Sequence, residues 1–115
     1  MRQDYIVHIN TWTWGISYTI IKKDGLAMMN FCIENKNPQV AYFGLLMVHP
    51  TVRRCGIAKE LHKFAISMAE ERGVTKVEIK TEKDRWTIEW YKRLGFREIG
   101  ENKELDGYID MLLEI

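Results

Sequence analysis

The chain has 115 residues, 46% of them hydrophobic, which is enough for one modest core and predicts a single domain over residues 1–115. Its 17 basic and 16 acidic residues are mixed along the length and leave a formal charge of +1, which argues against a nucleic-acid or anionic-membrane partner drawn in by a broad field. Cys32 and Cys55 form no CxxC pair and flank no histidine at metal-ligand spacing, and no apolar run reaches a signal segment or a membrane span, so a soluble, unprocessed, cytoplasmic protein without metal or disulfide is expected.

From Tyr5 to Val48 the chain is rich in β-branched and aromatic residues, interrupted by Lys23-Asp24-Gly25 and Asn35-Lys36-Asn37-Pro38. This predicts an antiparallel meander with strands at about 4–10, 13–22, 26–34 and 39–48, Asp24-Gly25 being the clearest hairpin signal. The period then changes. Ile57, Leu61, Phe64, Ala65 and Met68 share one helical face, with Lys59, Glu60, Lys63, Ser67, Glu70 and Glu71 opposite, and Gly73 supplies the stop. Val77 and Ile79 alternate with Lys76, Glu78 and Lys80 as a short strand. Asp84 serves as N-cap for a second helix whose inner face carries Trp86, Thr87, Trp90, Tyr91 and Leu94, while Arg85, Glu89, Lys92 and Arg93 point away. Gly95 ends it, and two strands around Asp106-Gly107 complete the chain. Trp12 and Trp14, like Trp86 and Trp90, read as core and hairpin packing.

The informative segment runs from Leu46 to Ala58, from a strand through Val48-His49-Pro50-Thr51-Val52-Arg53-Arg54-Cys55 into the first helix at Gly56-Ile57-Ala58. Backbone N–H groups at a helix start lack intrahelical partners and sit at the positive end of its dipole, so such a junction is suited to a phosphate. The same residues equally read as two solvated arginines before a glycine that merely opens a helix. GxxxxGK[S/T] and GxGxxG are both absent, which points away from a nucleoside triphosphate or a dinucleotide.

Arg53-x-x-Gly56-x-Ala58 resembles the Q/R-x-x-G-x-G/A pyrophosphate signature of the GNAT superfamily of N-acetyltransferases. Val48-His49-Pro50 is similar to that family's strand-ending V-x-P, and Tyr91-Lys92-Arg93-Leu94-Gly95-Phe96 is similar to its YxKxGF, with Arg93 in place of the lysine. The resemblance covers roughly residues 13 to 115. It implies an α/β fold with a mixed, mostly antiparallel sheet of about six or seven strands and two main helices, acetyl-CoA lying where two central strands splay apart. It further implies that backbone groups of Leu46, Met47 and Val48 meet the pantetheine arm. The diphosphate would then rest on Arg53, Arg54, Cys55, Gly56, Ile57 and Ala58.

The resemblance also implies direct acetyl transfer to a primary amine of a protein or small molecule, with Tyr91 protonating the departing thiolate. Tyr91 also reads as a core tyrosine. Asp84 stands where the family often carries asparagine and is taken as a cofactor contact as well as a cap. Two features depart from the family. Only strand-like sequence precedes Trp14, where relatives have helices that wall the acceptor pocket, so that side is expected to be open or completed by a homodimer. Val40-Ala41-Tyr42-Phe43-Gly44 has no carboxylate where relatives often carry a basic glutamate, leaving Glu78, Glu82 or water to take the proton; His49 reads as a loop residue. The alternative to an enzyme is an acetyl-CoA-binding module, weak or inactive in turnover, acting through a partner.

Overall fold

The computed structural model describes residues 4–115. Strict alternation builds its sheet: in β3 (Ala27–Glu34) Ala27, Met29, Phe31 and Ile33 are buried and each intervening residue is half-buried. β2 (Gly15–Lys22) buries Tyr18 and Ile20 on the same side and turns Ser17 and Thr19 to the other. β1 (Tyr5–Trp12) runs two residues beyond its expected end and joins β2 through Thr13-Trp14, pairing Trp12 with Gly15. A Cβ on Gly15 would lie 2.2 Å from the Ile33 carbonyl oxygen, so glycine is required where this hairpin closes on β3. Trp12 and Trp14 stack at 6.2 Å between ring centroids but are about half exposed, so they are hairpin packing and no part of the core.

β4 (Val40–Val48) continues the antiparallel meander, and β5 (Lys76–Glu82) joins it in parallel. β6 (Arg97–Glu101) and β7 (Tyr108–Glu114) complete a seven-stranded sheet in the order β1-β2-β3-β4-β5-β7-β6. Between β4 and β5 the chain forms a short 3-10 turn at Pro50–Val52 and the helix α1 (Ile57–Glu71), which buries Leu61, Phe64, Ala65, Met68 and Ala69 against β3 and β4. Arg72 Nε donates to the Tyr18 hydroxyl, tying the end of α1 to β2.

The second helix, α2 (Thr87–Arg93), corrects the sequence reading. Asp84 is not its cap: the residue takes φ +63°, a left-handed turn, and the helix begins three residues later with Trp86 at the N-cap. Trp86 is 69% exposed, not inward-facing, because its side chain precedes the first helical turn. α2 packs on β5 beside α1, and the hydroxyls of Thr81 and Thr87 meet at 2.7 Å. Both helices therefore cover the face carrying Phe31, Phe43, Val77 and Ile79. The other face presents Ser17, Thr19, Asn30, Cys32, Tyr42, Glu78 and Lys80.

His62 lies at the contact between the helices. It is 2% exposed, ringed by Phe43, Trp90, Tyr91 and Phe96 with centroids 5.3–6.3 Å away, and its Nε2 has no hydrogen-bond partner among the described residues. Burial penalises the imidazolium and pushes its pKa from 6.5 down to about 4. The unfolded chain binds this proton first, so the associated stability is present above pH 6.5 and is lost as pH falls towards 4, at most about 3 kcal/mol. Replacing His62 with Leu removes the titrating group at similar volume. Melting temperatures measured from pH 7 to 4 are expected to fall less steeply for His62→Leu than for the wild type; parallel curves would contradict a buried neutral histidine.

Candidate functional site

The site originates in a mismatch between β3 and β4. Phe31 faces Phe43 and Met29 faces Leu46, so Gly44 and Leu45 stand opposite the single residue Asn30 in a β-bulge. A Cβ on Gly44 would lie 2.4 Å from Asn30 Oδ1, so glycine makes room for that amide. Pairing of β4 with β5 stops just before the bulge, at Tyr42 opposite Glu78. Beyond it the β5-facing edge of Phe43–Val48 has no strand partner, while β5 remains held on its far side by β7 as far as Glu82 opposite Tyr108. The sheet opens into a V.

On the helical side, a cleft of about 1300 Å³ follows this V. Leu46, Met47 and Val48 form one wall; Arg53, Arg54, Gly56, Ile57 and Ala58 form its end at the N-terminus of α1. Gly56 caps α1 in the left-handed conformation, φ +77°, with no side-chain hydrogen bond to the first-turn N–H groups, and there is open space where its Cβ would be. Those donors and two arginines therefore make this end of the cleft positively polarised. Arg53 Nε also donates to the Val48 carbonyl at 3.2 Å, fixing the loop against the strand. His49 Nδ1 accepts from the Thr51 N–H at 3.2 Å and meets its hydroxyl at 2.8 Å, which makes it a cap of the 3-10 turn. Lys59, Arg85 and Trp86 also line the cleft; Arg85, expected on the outward face of α2, lies before the helix and lines the cleft instead.

Two expected contacts lie outside that lining. Cys55 is exposed, with its thiol directed to the Arg53 carbonyl at 3.7 Å. Asp84 takes a left-handed turn and is not among the lining residues.

The second cleft, about 840 Å³, opens on the polar face of the sheet. Asn30, Tyr42 and Glu78 form its floor, and residues 99–104 form its outer wall. Asn102 organises that wall: its Oδ1 accepts from the N–H groups of Glu104 and Leu105 at 2.8 and 2.7 Å, while its Nδ2 donates to Asp110 at 2.8 Å. Glu78, Glu101, Glu104 and Asp110 outweigh Lys80 and Lys103 in the lining. Lys80 and Tyr91 are the residues common to both clefts, which marks the passage between them.

Tyr91 reaches the passage from α2, its ring 5.0 Å from Trp90 and 5.4 Å from Phe96 by centroids. Burial raises its phenol above the ordinary tyrosine range, with Arg85 opposing, so the group is a neutral proton donor at physiological pH. Glu82, by contrast, lies on the helical side, 3.9 Å from Arg85 and accepting from the Tyr108 hydroxyl at 3.4 Å. Among the described residues no group of three or more His, Cys, Asp or Glu converges as a metal site, and no helix is long and apolar enough to cross a membrane. His62, Lys80 and Arg85 were not singled out by sequence, since their importance depends on the packing of α2 and the opening of the sheet.

The family model for the acetyltransferase (GNAT) family matches residues 3–96. No curated protein sequence matches the chain. Among solved structures, the ribosomal-protein-S18-alanine N-acetyltransferase of Escherichia coli is similar at 21% identity and TM-score 0.68, covering 90% of this chain and 71% of that one. A GNAT family acetyltransferase from Elizabethkingia anophelis, solved with acetyl-CoA bound, is similar at 15% identity and TM-score 0.72, covering 99% of this chain and all of that one. A Bacillus subtilis acetyltransferase in complex with CoA is similar at 16% identity and TM-score 0.69, covering 96% and 99% of the two chains. These likenesses establish the common fold, and the family model, matching well over half of the residues around this split sheet, establishes that the chain belongs to the GNAT acetyltransferase family.

Proposed function

We propose that this chain is an N-acetyltransferase that takes acetyl-CoA on the helical side of the sheet and a primary amine from the polar side. The observation that carries the reading is the passage at Lys80 and Tyr91, where a cleft ending in an anion-suited helix terminus meets a second, acid-lined cleft. The residues fit the cofactor. The open, uncapped start of α1 suits a diphosphate, and the unpaired edge of β4 suits the amides of a pantetheine arm. Acetyl-CoA supplies an activated acyl thioester there.

Arg53 and Arg54 neutralise the diphosphate, with first-turn N–H groups from Gly56 to Ala58 donating to it. Leu46 to Val48 present backbone groups along the strand, where an N–H can stabilise negative charge developing on the acyl oxygen. Tyr91 donates its phenolic proton to the departing sulfur, a role suited to a hydroxyl that burial keeps protonated. Glu78, at the floor of the acceptor cleft, is the carboxylate placed to take the amine's proton, directly or through water. The excess of carboxylates around it favours a cationic amine.

Acetyl-CoA is expected to raise the melting temperature, since a ligand bound only by the folded state contributes about 2.7 kcal/mol at 100 times its Kd. Gly56→Glu should abolish the shift by placing bulk and negative charge at the diphosphate. Because that change also strains a left-handed backbone, Arg54→Glu serves as its companion, while Lys63→Glu on the exposed face of α1 should preserve the shift. Equal losses in all three variants, or no shift in the wild type, would refute the assigned cleft.

Tyr91→Phe removes one hydroxyl and keeps the ring that packs on Phe96 and Trp90. Thiol release in the presence of an amine panel is expected to fall about 10²-fold in kcat, with cofactor binding retained and the alkaline limb of the pH profile altered. Unchanged turnover together with a lowered melting temperature would assign Tyr91 to the core alone. Thermal stabilisation by acetyl-CoA with no amine-dependent thiol release would favour a binding module over an enzyme.

A further inference from the structure

The passage between the two clefts already contains a primary amine. Lys80 is an exposed residue of β5, two positions beyond the last pairing of β5 with β4, and it lines the cofactor cleft and the acceptor cleft alike. Its alternation directs it to the polar face, where its charge acts on the Cys32 thiol across the sheet. Among the described residues it forms no ion pair, whereas Lys83 is paired with Glu101 and Lys92 with Glu89 and Glu98. Its cross-strand neighbour Asp110 is engaged by Asn102. The lysine thus combines a flexible four-carbon stem, freedom from a partner and a position at the point where acyl donor and acceptor must meet.

We propose that Lys80 is itself an acceptor: the chain acetylates its own Lys80 from acetyl-CoA bound in the adjacent cleft. This rests on the acetyl-CoA reading of that cleft and adds a modification site to it. After the ammonium loses a proton to Glu78 or to water, the Nζ lone pair forms a bond to the thioester carbonyl carbon. The carbon–sulfur bond breaks, and the sulfur leaves with the Tyr91 proton as coenzyme A. The second amine proton returns through solvent to the Tyr91 phenolate. One thioester is consumed and one amide, one free thiol and one proton are produced, with no oxidant or further reactant. Holding the amine beside the thioester makes the step effectively unimolecular, which separates Lys80 from lysines that meet acetyl-CoA only by collision.

Incubation of the full chain with acetyl-CoA alone, followed by intact-mass measurement and peptide mapping, tests the inference. The expected result is one acetyl group per chain, on Lys80, gained at least about 10-fold faster than on the exposed Lys36 and Lys63. Lys80→Arg should lack this fast increment, and desulfo-CoA or the Arg54→Glu change should slow it to the rate of the exposed lysines. Similar rates at all lysines, or an unchanged increment in Lys80→Arg, would overturn the proposal. Thermal stabilisation by acetyl-CoA without preferential labelling of Lys80 would overturn self-acetylation and leave the cofactor reading standing; absence of any thermal shift would overturn both.

Discussion

Everything at the site depends on β4 and β5 pairing over three residues and then parting. Parallel strands ordinarily continue their ladder because an unpaired backbone edge inside a sheet leaves donors and acceptors unsatisfied. Here the bulge at Gly44-Leu45 bends β4 away just beyond Tyr42, where pairing ends, and β7 prevents β5 from following. The unpaired edge is therefore held open by structure on both sides. A linear ligand bearing amides can occupy it as a missing strand would, which explains why a sheet with a gap is compatible with a stable core.

The helices hold that gap at a fixed width. α1 seats on β3 and β4, α2 seats on β5, and the two elements meet through His62, Trp90, Tyr91 and Phe96. This aromatic contact bridges the two arms of the V from the buried side. Tyr91 is consequently both a spacer and a cleft residue: its ring belongs to the bridge, and the residue lines both clefts. A histidine at the centre of the bridge is an unexpected choice. Its neutral ring makes edge-to-face contacts with Phe43, Trp90 and Phe96 and a tilted one with Tyr91, but among the described residues its Nε2 has no hydrogen-bond partner, a cost that an apolar side chain would not carry.

Features encoded locally were legible in the chain itself. The period-two burial of β2 and β3, the apolar stripe of α1 and the Arg53-to-Ala58 junction each depend on residues within a turn or two of one another, and each lies where the sequence put it. What was not legible is of two physical kinds. Asp84 has the chemistry of a helix cap but adopts a left-handed turn, and propensity alone does not decide between those uses of the same side chain. Lys80, Arg85 and His62 gain their positions from contacts between elements distant in sequence. Lys80 looked like any outward residue of an alternating strand, because the opening that makes it a lining residue is created on β4, more than thirty positions earlier. His62 sits one position after Leu61, at the border of the apolar stripe, and becomes buried only because α2 widens the covered face.

The two clefts also divide the electrostatic work. The helical side gathers Arg53, Arg54, Lys59 and Arg85 around a helix N-terminus, whereas the polar side carries Glu78, Glu101, Glu104 and Asp110 in excess over its lysines. A nearly neutral chain therefore presents opposite polarities on the two sides of one sheet. On the proposed function, an anionic acyl donor and a cationic amine would each be drawn to its own side and repelled by the other. On that proposal the two would meet at Lys80 and Tyr91, the residues that line both clefts. A half-buried neutral phenol there adds no charge to oppose either approach.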